Sequence, residues 1–343
     1  MKELIVVTGG TGYIGSHTVV ELMEAGYEVL IIDNLANSRI EVLDGIENIT
    51  GRKPLFEKLD LCDRQGVMDC FARHSTIRAI IHFAAYKAVP ESVQQPLRYY
   101  ENNLVSLINL LNAMKSHGVN NFVFSSSCTV YGQPDKLPVT EESPIKKAAS
   151  PYGNTKQIAE EIIADAIAAD DAIEAIALRY FNPIGAHPTA YIGELPLGVP
   201  DNLVPFLTQT AIGVREELRV FGDNYNTPDG SAVRDYINVV DLSRAHVISI
   251  DRLLAGRNEP GMEVFNLGTG KGLSVFEIIN AFVDATGVEF RYKVVDRRNG
   301  DVEQVYADTS LANKVLGWKA GISLEDTLRS AWKWEKTLRD QTE

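Results

Sequence analysis

The apolar run Leu4-Ile5-Val6-Val7 passes without a break into Thr8-Gly9-Gly10-Thr11-Gly12-Tyr13-Ile14-Gly15, and this junction limits the fold more than any other feature. A strand that turns sharply into a helix through spaced glycines opens a βαβ unit. Gly9 and Gly12 allow the tight turn and the close approach of backbone to a pyrophosphate, and Gly15 allows helix and strand to touch. The phosphates then face a helix N-terminus, where free amides and the dipole favour negative charge. Three glycines by themselves also fit an ordinary turn; their place directly after the first strand favours the dinucleotide. Gly9, Gly12, Tyr13, Ile14 and Gly15 are therefore expected against such a cofactor. Asp33 ends the second apolar run, eighteen positions beyond Gly15. A carboxylate there accepts from the adenosine ribose and repels a 2′-phosphate, which selects NAD over NADP. Capping the next turn is the other use of Asp33, and the spacing favours the ribose. Asp60 and Leu61, at the end of another apolar run, are expected beside the adenine.

Short runs that are apolar on both faces continue at 28–32, 79–83, 121–125 and 173–178, alternating with helical patterns such as 12–25. That alternation predicts an α/β fold, a Rossmann-type doubly wound parallel sheet with helices on both faces. Residues 1–180 are expected to form this NAD-binding domain. After Phe181 the texture changes, with Pro183, Gly185, Pro188, Gly193, Pro196, Gly198 and Pro200 marking a loop-rich stretch of the kind that carries ligand contacts. Arg234-Asp235-Tyr236-Ile237-Asn238-Val239-Val240 reads as one strand returning to the body. A segment near 234–265 is thus expected to rejoin the first domain, leaving 181–343 as a smaller, interleaved, mixed α/β substrate domain.

The 343 residues suffice for a large core, and the formal net charge of -13 argues against nucleic-acid or membrane-surface binding. No apolar stretch approaches membrane-spanning length, and the first nine residues are too short in apolar length for a signal peptide. Cys62, Cys70 and Cys128 show neither a paired framework nor metal spacing, and the six histidines are scattered. A cytoplasmic protein without a catalytic metal is expected. Apolar residues at Leu97, Tyr100, Leu104, Leu107, Leu111 and Met114, and at Ile158, Ile162, Ile163 and Ile167, follow helical spacing. Either stripe serves core packing or a helical dimer interface.

The chemistry lies in Ser150-Pro151-Tyr152-Gly153-Asn154-Thr155-Lys156, downstream of a strand ending Ser125-Ser126-Ser127. Four residues apart on a helix, Tyr152 and Lys156 share a face, so an ammonium can sit near a phenol oxygen. With the glycine loop upstream, the combination reads as a tyrosine base working beside a nicotinamide. A free phenol with a pKa of about 10 is a poor base at neutral pH, and Lys156 with the positive nicotinamide supplies a field of the right sign to lower it. Plain turn capping by a strand-end hydroxyl describes Ser125 and Ser126 better than Ser127.

These stretches, together with His82-Phe83-Ala84-Ala85-Tyr86-Lys87-Ala88-Val89, Arg179-Tyr180-Phe181-Asn182-Pro183-Ile184-Gly185-Ala186-His187-Pro188 and Arg234 to Val239, resemble the extended short-chain dehydrogenase/reductase family. Within it they are most similar to the nucleotide-sugar 4-epimerase branch, over essentially the whole chain. The resemblance implies reversible, NAD-dependent inversion at C4 of a UDP-hexose through a 4-keto intermediate, and a homodimer. It implies Tyr152 as general base and acid, Lys156 also on the nicotinamide ribose, and Ser127 on the sugar 4-oxygen. To the cofactor it assigns Asn34, Asn37, Ser38, Phe83, Ala84, Lys87, Asn102, Tyr180 and Pro183. To the nucleotide sugar it assigns Lys87, Phe181, Asn182, Asn202, Leu203, Phe221, Arg234, Tyr236, Arg298 and Asp301, with Arg234 and Arg298 as pyrophosphate clamps.

Two positions depart from the branch. Asn238 stands where histidine is frequent, with no evident meaning in the sequence. Val305 falls where tyrosine limits the sugar pocket of some members, so room for a 2-acetamido group, and hence turnover of UDP-N-acetylglucosamine and UDP-N-acetylgalactosamine, is expected. A nucleotide-sugar 4,6-dehydratase would need an Asp-Glu acid pair, which Ser127-Cys128-Thr129 does not offer. A glucuronate epimerase or decarboxylase would need a carboxylate partner that the sequence does not identify. A nonenzymatic NAD-sensing regulator would have no reason to keep Ser127, Tyr152 and Lys156 together.

Overall fold

The computed structural model describes residues 3–298 and 302–340. The first half alternates strand and helix. It runs β1 (Leu4–Thr8), α1 (Tyr13–Glu24), β2 (Glu28–Asp33), α2 (Val42–Thr50), β3 (Leu55–Lys58), α3 (Arg64–Arg73) and β4 (Ile77–His82). It continues through α4 (Val89–Gln94), α5 (Pro96–His117), β5 (Asn121–Ser127), α6 (Pro151–Ala169) and β6 (Glu174–Tyr180). The second half holds β7 (Asn182–Ile184), α7 (Leu203–Ala211), β8 (Leu218–Phe221), β9 (Val233–Arg234), β10 (Tyr236–Asn238), α8 (Val239–Leu254) and β11 (Met262–Leu267). It closes with β12 (Leu273–Ser274), α9 (Val275–Thr286), β13 (Tyr292–Val295), β14 (Gln304–Val305), α10 (Ser310–Val315) and α11 (Leu324–Asp340).

Seven strands form one parallel sheet in the order β11-β6-β5-β4-β1-β2-β3. The period of two along each strand divides the core. Ile5, Val7, Ile31 and Ile81 pack on one face with Val19 of α1 and Leu242 and Ala245 of α8. Leu4, Val6, Leu30, Ile32 and Ile80 pack on the other with Phe71 of α3, Leu107 of α5 and Ile163 of α6. The predicted doubly wound sheet is thus present, and α8 and β11 belong to it although they lie late in the chain.

A second core, built on Leu207, Leu218, Ile278, Phe282 and Leu328, joins α7, α9 and α11 with the small pairs β8–β13 and β7–β10. The stretch read as a single strand at 234–240 is broken at Asp235. β9 pairs with β12 and β14, whereas β10 pairs with β7, and helix α8 starts at Val239. The break has a cause: the buried Asp235 carboxylate accepts from the Thr269, Gly270 and Ala307 amides and the Thr269 hydroxyl. Asn238 also gains a meaning. Its side-chain oxygen caps α8 by accepting from the Val240 amide at 2.8 Å, and its Nδ2 donates to Thr327 of α11 at 2.9 Å.

The stripe on α5 is mostly core: Leu107, Leu111 and Met114 are buried, while Leu97 is 81% exposed. Leu97 faces outward together with Val105 and Ile108, two residues that the stripe did not include. No described helix is long and apolar enough to cross a membrane.

Candidate active site

Parallel strands aim their carboxyl ends at one edge of the sheet, where Gly9, Asp33, Ser127 and Tyr180 lie at or just after the ends of β1, β2, β5 and β6. The glycine loop leaves β1 at that edge. Gly9 has φ +69°, and a Cβ on it would come within 2.8 Å of the Ala84 amide nitrogen; a Cβ on Gly15 would lie 2.2 Å from the Gly9 carbonyl oxygen. No side chain caps α1 and no acidic residue enters its first turn, so its N-terminus suits an anionic group. The Asp33 carboxylate accepts from the Thr11 amide (3.3 Å), the Leu35 amide (2.8 Å) and the Ser38 hydroxyl (3.2 Å). It therefore both caps the turn and borders the loop, with about one of its four acceptor sites remaining for a ribose hydroxyl. Asn34 donates to Asp60 at 3.1 Å, which draws the ends of β2 and β3 together; Leu61 is buried beside them and Asn37 is exposed. These features fit a dinucleotide.

Ser127 and Tyr180 are register partners at the ends of β5 and β6. The three serines have separate tasks. Ser125 hydrogen-bonds the Tyr180 hydroxyl, and Ser126 donates to Glu160 at 2.5 Å. Ser127 caps the 3-10 turn Cys128–Tyr131, accepting the Thr129 amide at 3.2 Å. This corrects the expectation that turn capping falls on the first two. The Ser127 hydroxyl also acts on the phenol of Tyr152, the second residue of α6, which begins at a Ser150 cap and Pro151.

Burial pushes the Tyr152 phenol up to about 12, with Cys128 adding to the rise and the Ser127 hydrogen bond opposing it. Burial pulls Lys156 down from 10.5 to about 8, against the attraction of Glu160. The Lys156 ammonium donates to the Ser125 carbonyl at 2.6 Å and lies 6.0 Å from the Tyr152 ring centre. Tyr180 is also raised, by burial.

Lys87 pairs with Glu194 at 3.5 Å, and Asn202 donates to the same carboxylate oxygen at 2.6 Å. The Tyr13 hydroxyl donates to the Gly185 carbonyl at 2.6 Å, so the 185–202 loop is tied to the end of the glycine loop by Tyr13 and to the segment after β4 by Lys87. Phe83 packs against His246 with the rings tilted by 49°, Ala84 borders Gly9, and Asn102 is half-buried, donating to Asn103. On the opposite side, the Arg298 guanidinium lies 3.9 Å from the Phe221 ring centre and donates to the Asp201 carbonyl, next to Asn202 and Leu203. Asn182 and Pro183 are register partners of Tyr236 and Ile237. Arg234 donates to the Val233 carbonyl at 2.8 Å and is the register partner of Val305. Val305 is buried with Phe181, Val130 and Tyr131. Asp301 lies outside the described residues.

Sequence reasoning missed two contributors. Glu194 joins Lys87 to Asn202 although it sits in a loop without periodicity. Glu160 forms a buried pair with Arg179 (2.6 Å and 2.9 Å) beneath Ser126. The signal for Glu160 was its place one helical turn after Lys156.

The family described as GDP-mannose 4,6 dehydratase matches residues 6–331. UDP-glucose 4-epimerase of Bos taurus is 49% identical over 342 residues, covering 98% of this chain and 97% of that protein. The chain belongs to the UDP-glucose 4-epimerase family. The Bifidobacterium longum UDP-glucose 4-epimerase, solved with NAD+ and UDP, superposes with a TM-score of 0.94 at 44% identity, covering 98% of this chain and 99% of that one. The Stenotrophomonas maltophila UDP-glucose-4-epimerase, solved with NAD and formylated UDP-arabinopyranose, gives a TM-score of 0.95 at 45% identity, with 99% of both chains covered. The matched family takes its description from a dehydratase, but Ser127-Cys128-Thr129 lacks the acid pair of such an enzyme.

Proposed function

We propose that this chain interconverts UDP-glucose and UDP-galactose by inverting C4, with NAD as its resident cofactor. The observation that carries the reading is the meeting of Ser127, Tyr152 and Lys156 at the carboxyl edge of the sheet, beside an uncapped glycine-loop helix. NAD, when bound, would supply a reversible hydride acceptor for C4. Tyr152 takes the proton of the 4-hydroxyl and gives it back, and Ser127 holds the phenol and the 4-oxygen in line. Lys156 holds the nicotinamide ribose. Asp33, Asn34, Asn37, Ser38, Asp60, Leu61, Phe83, Ala84, Asn102, Tyr180 and Pro183 line the cofactor. Lys87 reaches both cofactor and sugar once released from Glu194. Arg234 and Arg298 hold the pyrophosphate, and Phe181, Asn182, Asn202, Leu203, Phe221, Tyr236 and Asp301 complete the nucleotide-sugar site. Binding energy placed on the uridine diphosphate, away from C4, retains the keto sugar while its ring turns over.

Because Val305 is small and lines the Phe181 cluster, UDP-N-acetylglucosamine and UDP-N-acetylgalactosamine also serve as substrates. The chain works in the cytoplasm as a homodimer that joins through α5 and α6, a reading supported by the outward Leu97, Val105 and Ile108. The test is protein purified without added NAD and incubated separately with UDP-galactose and UDP-N-acetylgalactosamine. Conversion of both is expected. If neither reacts even after NAD is supplied, the epimerase reading fails. Val305→Tyr should depress turnover of the N-acetyl sugar at least about tenfold while sparing UDP-galactose, the loss that about 1.4 kcal/mol of steric exclusion gives. Equal turnover of both sugars by that variant would remove the pocket argument.

A further inference from the structure

We propose that Glu57, Cys70 and His74 form a binding site for a zinc-class divalent cation at the free edge of the sheet. Donor atoms of the three residues all lie within 4.8 Å of one another. Cys70 and His74 are four apart, on and just after α3, so one helical turn presents both toward β3. Glu57 comes from β3, which closes the sheet at its far edge and, among the described residues, pairs only with β2. The sequence reading found no metal spacing among the cysteines because this thiol and imidazole are joined to the carboxylate only by the fold.

The donor set suits the cation. Thiolate, imidazole and carboxylate are all zinc ligands, at about 2.3, 2.0 and 2.1 Å respectively, and three protein ligands leave a fourth position for water. In a tetrahedron those bond lengths separate nitrogen from oxygen by about 3.3 Å and sulfur from either by about 3.5 Å. His74 Nε2 and Glu57 Oε1 already stand 3.1 Å apart, so the carboxylate and imidazole need almost no movement and the thiol roughly an ångström. Arg73 donates to the other Glu57 oxygen at 3.0 Å, the kind of outer contact that orients a ligating carboxylate. The His74 and Glu57 side chains are 22% and 27% exposed, which leaves an entry path, whereas Cys70 is buried. Binding releases the Cys70 thiol proton to water and takes His74 as its Nδ1–H tautomer, so that the Nε2 lone pair replaces the N–H now facing Glu57. The bound cation fastens the edge strand to α3. None of the three residues belongs to the reaction machinery.

The test uses full-length protein with its nucleotide retained, freed of metal by a chelator that is then removed and titrated with Co2+. One equivalent should produce a thiolate-to-cobalt charge-transfer band with the visible bands of four-coordinate cobalt. Zn2+ should abolish both and raise the melting temperature. Cys70→Ser should lose the charge-transfer band. His74→Gln, which keeps a polar partner for Glu57 and carries the test if Cys70→Ser fails to fold, should bind Co2+ at least about tenfold more weakly with basal turnover unchanged. The proposal is overturned if one equivalent gives no band, or if His74→Gln binds with the parent affinity, which would assign the cobalt to another cysteine.

Discussion

Tyr152 carries the proton chemistry, and its surroundings determine what a substitution reveals. Burial pushes its phenol up to about 12, and the Ser127 hydroxyl opposes the rise. Tyr152→Phe keeps the ring and removes only the transferable proton. Turnover of UDP-galactose should fall by roughly 10²–10⁴ while the melting temperature holds, which steady-state kinetics and calorimetry would measure together. Lys156 gives the complementary result. Burial lowers its pKa from 10.5 to about 8, so between those values the unfolded chain binds more protons than the folded one. Stability from this group is fully present above about 10.5 and is lost as pH falls through about 8, a cost of about 3 kcal/mol at neutral pH. Lys156→Met should therefore melt higher than the parent at pH 7, with the difference shrinking toward pH 10, and should be nearly inactive. Tyr152 and Lys156 were legible because a helix fixes their spacing. The tasks of the three serines were not, because a strand's period cannot say which end hydroxyl meets Tyr180, Glu160 or Tyr152.

At the scale of elements, β5, β6 and α6 are fastened beneath the site by one buried ion pair. Glu160 of α6 receives two hydrogen bonds from Arg179 of β6 and one from Ser126 of β5, and Arg179 also donates to Tyr131 at 3.0 Å. Removing one charge strands the other. Glu160→Gln should cost about 3–5 kcal/mol in urea unfolding, and a Glu160→Gln, Arg179→Met double variant should recover part of that loss. Full additivity of the two changes would mean the pair is not coupled. The strands and helices of the main sheet could be read from apolar runs, since each is buried on both faces. Pairs as short as β9 and β12 have no period to read, and the break at Asp235 comes from partners 34 to 72 residues distant along the chain.

The whole molecule brings two cores to a shared edge and leaves an apolar face outside it. Leu97, Val105 and Ile108 lie on one side of α5, eight and eleven residues apart, and all three face outward. Light scattering at micromolar concentration should give twice the 37.8 kDa chain mass, and a Val105→Glu, Ile108→Glu variant should fall to one chain mass. The parent running as a single chain would remove the dimer reading. The sequence showed the helical period of α5 but not which residues its neighbours cover, since α3 and α6 decide that. The central claim is that the hydrogen leaving C4 returns to the same carbon, and isotope labelling reads it directly. UDP-galactose carrying deuterium at C4 should yield UDP-glucose with the deuterium still at C4 and none in the water, in protein given no external cofactor. Loss of the label to solvent would mean that a proton rather than a hydride leaves C4, and the account would be wrong.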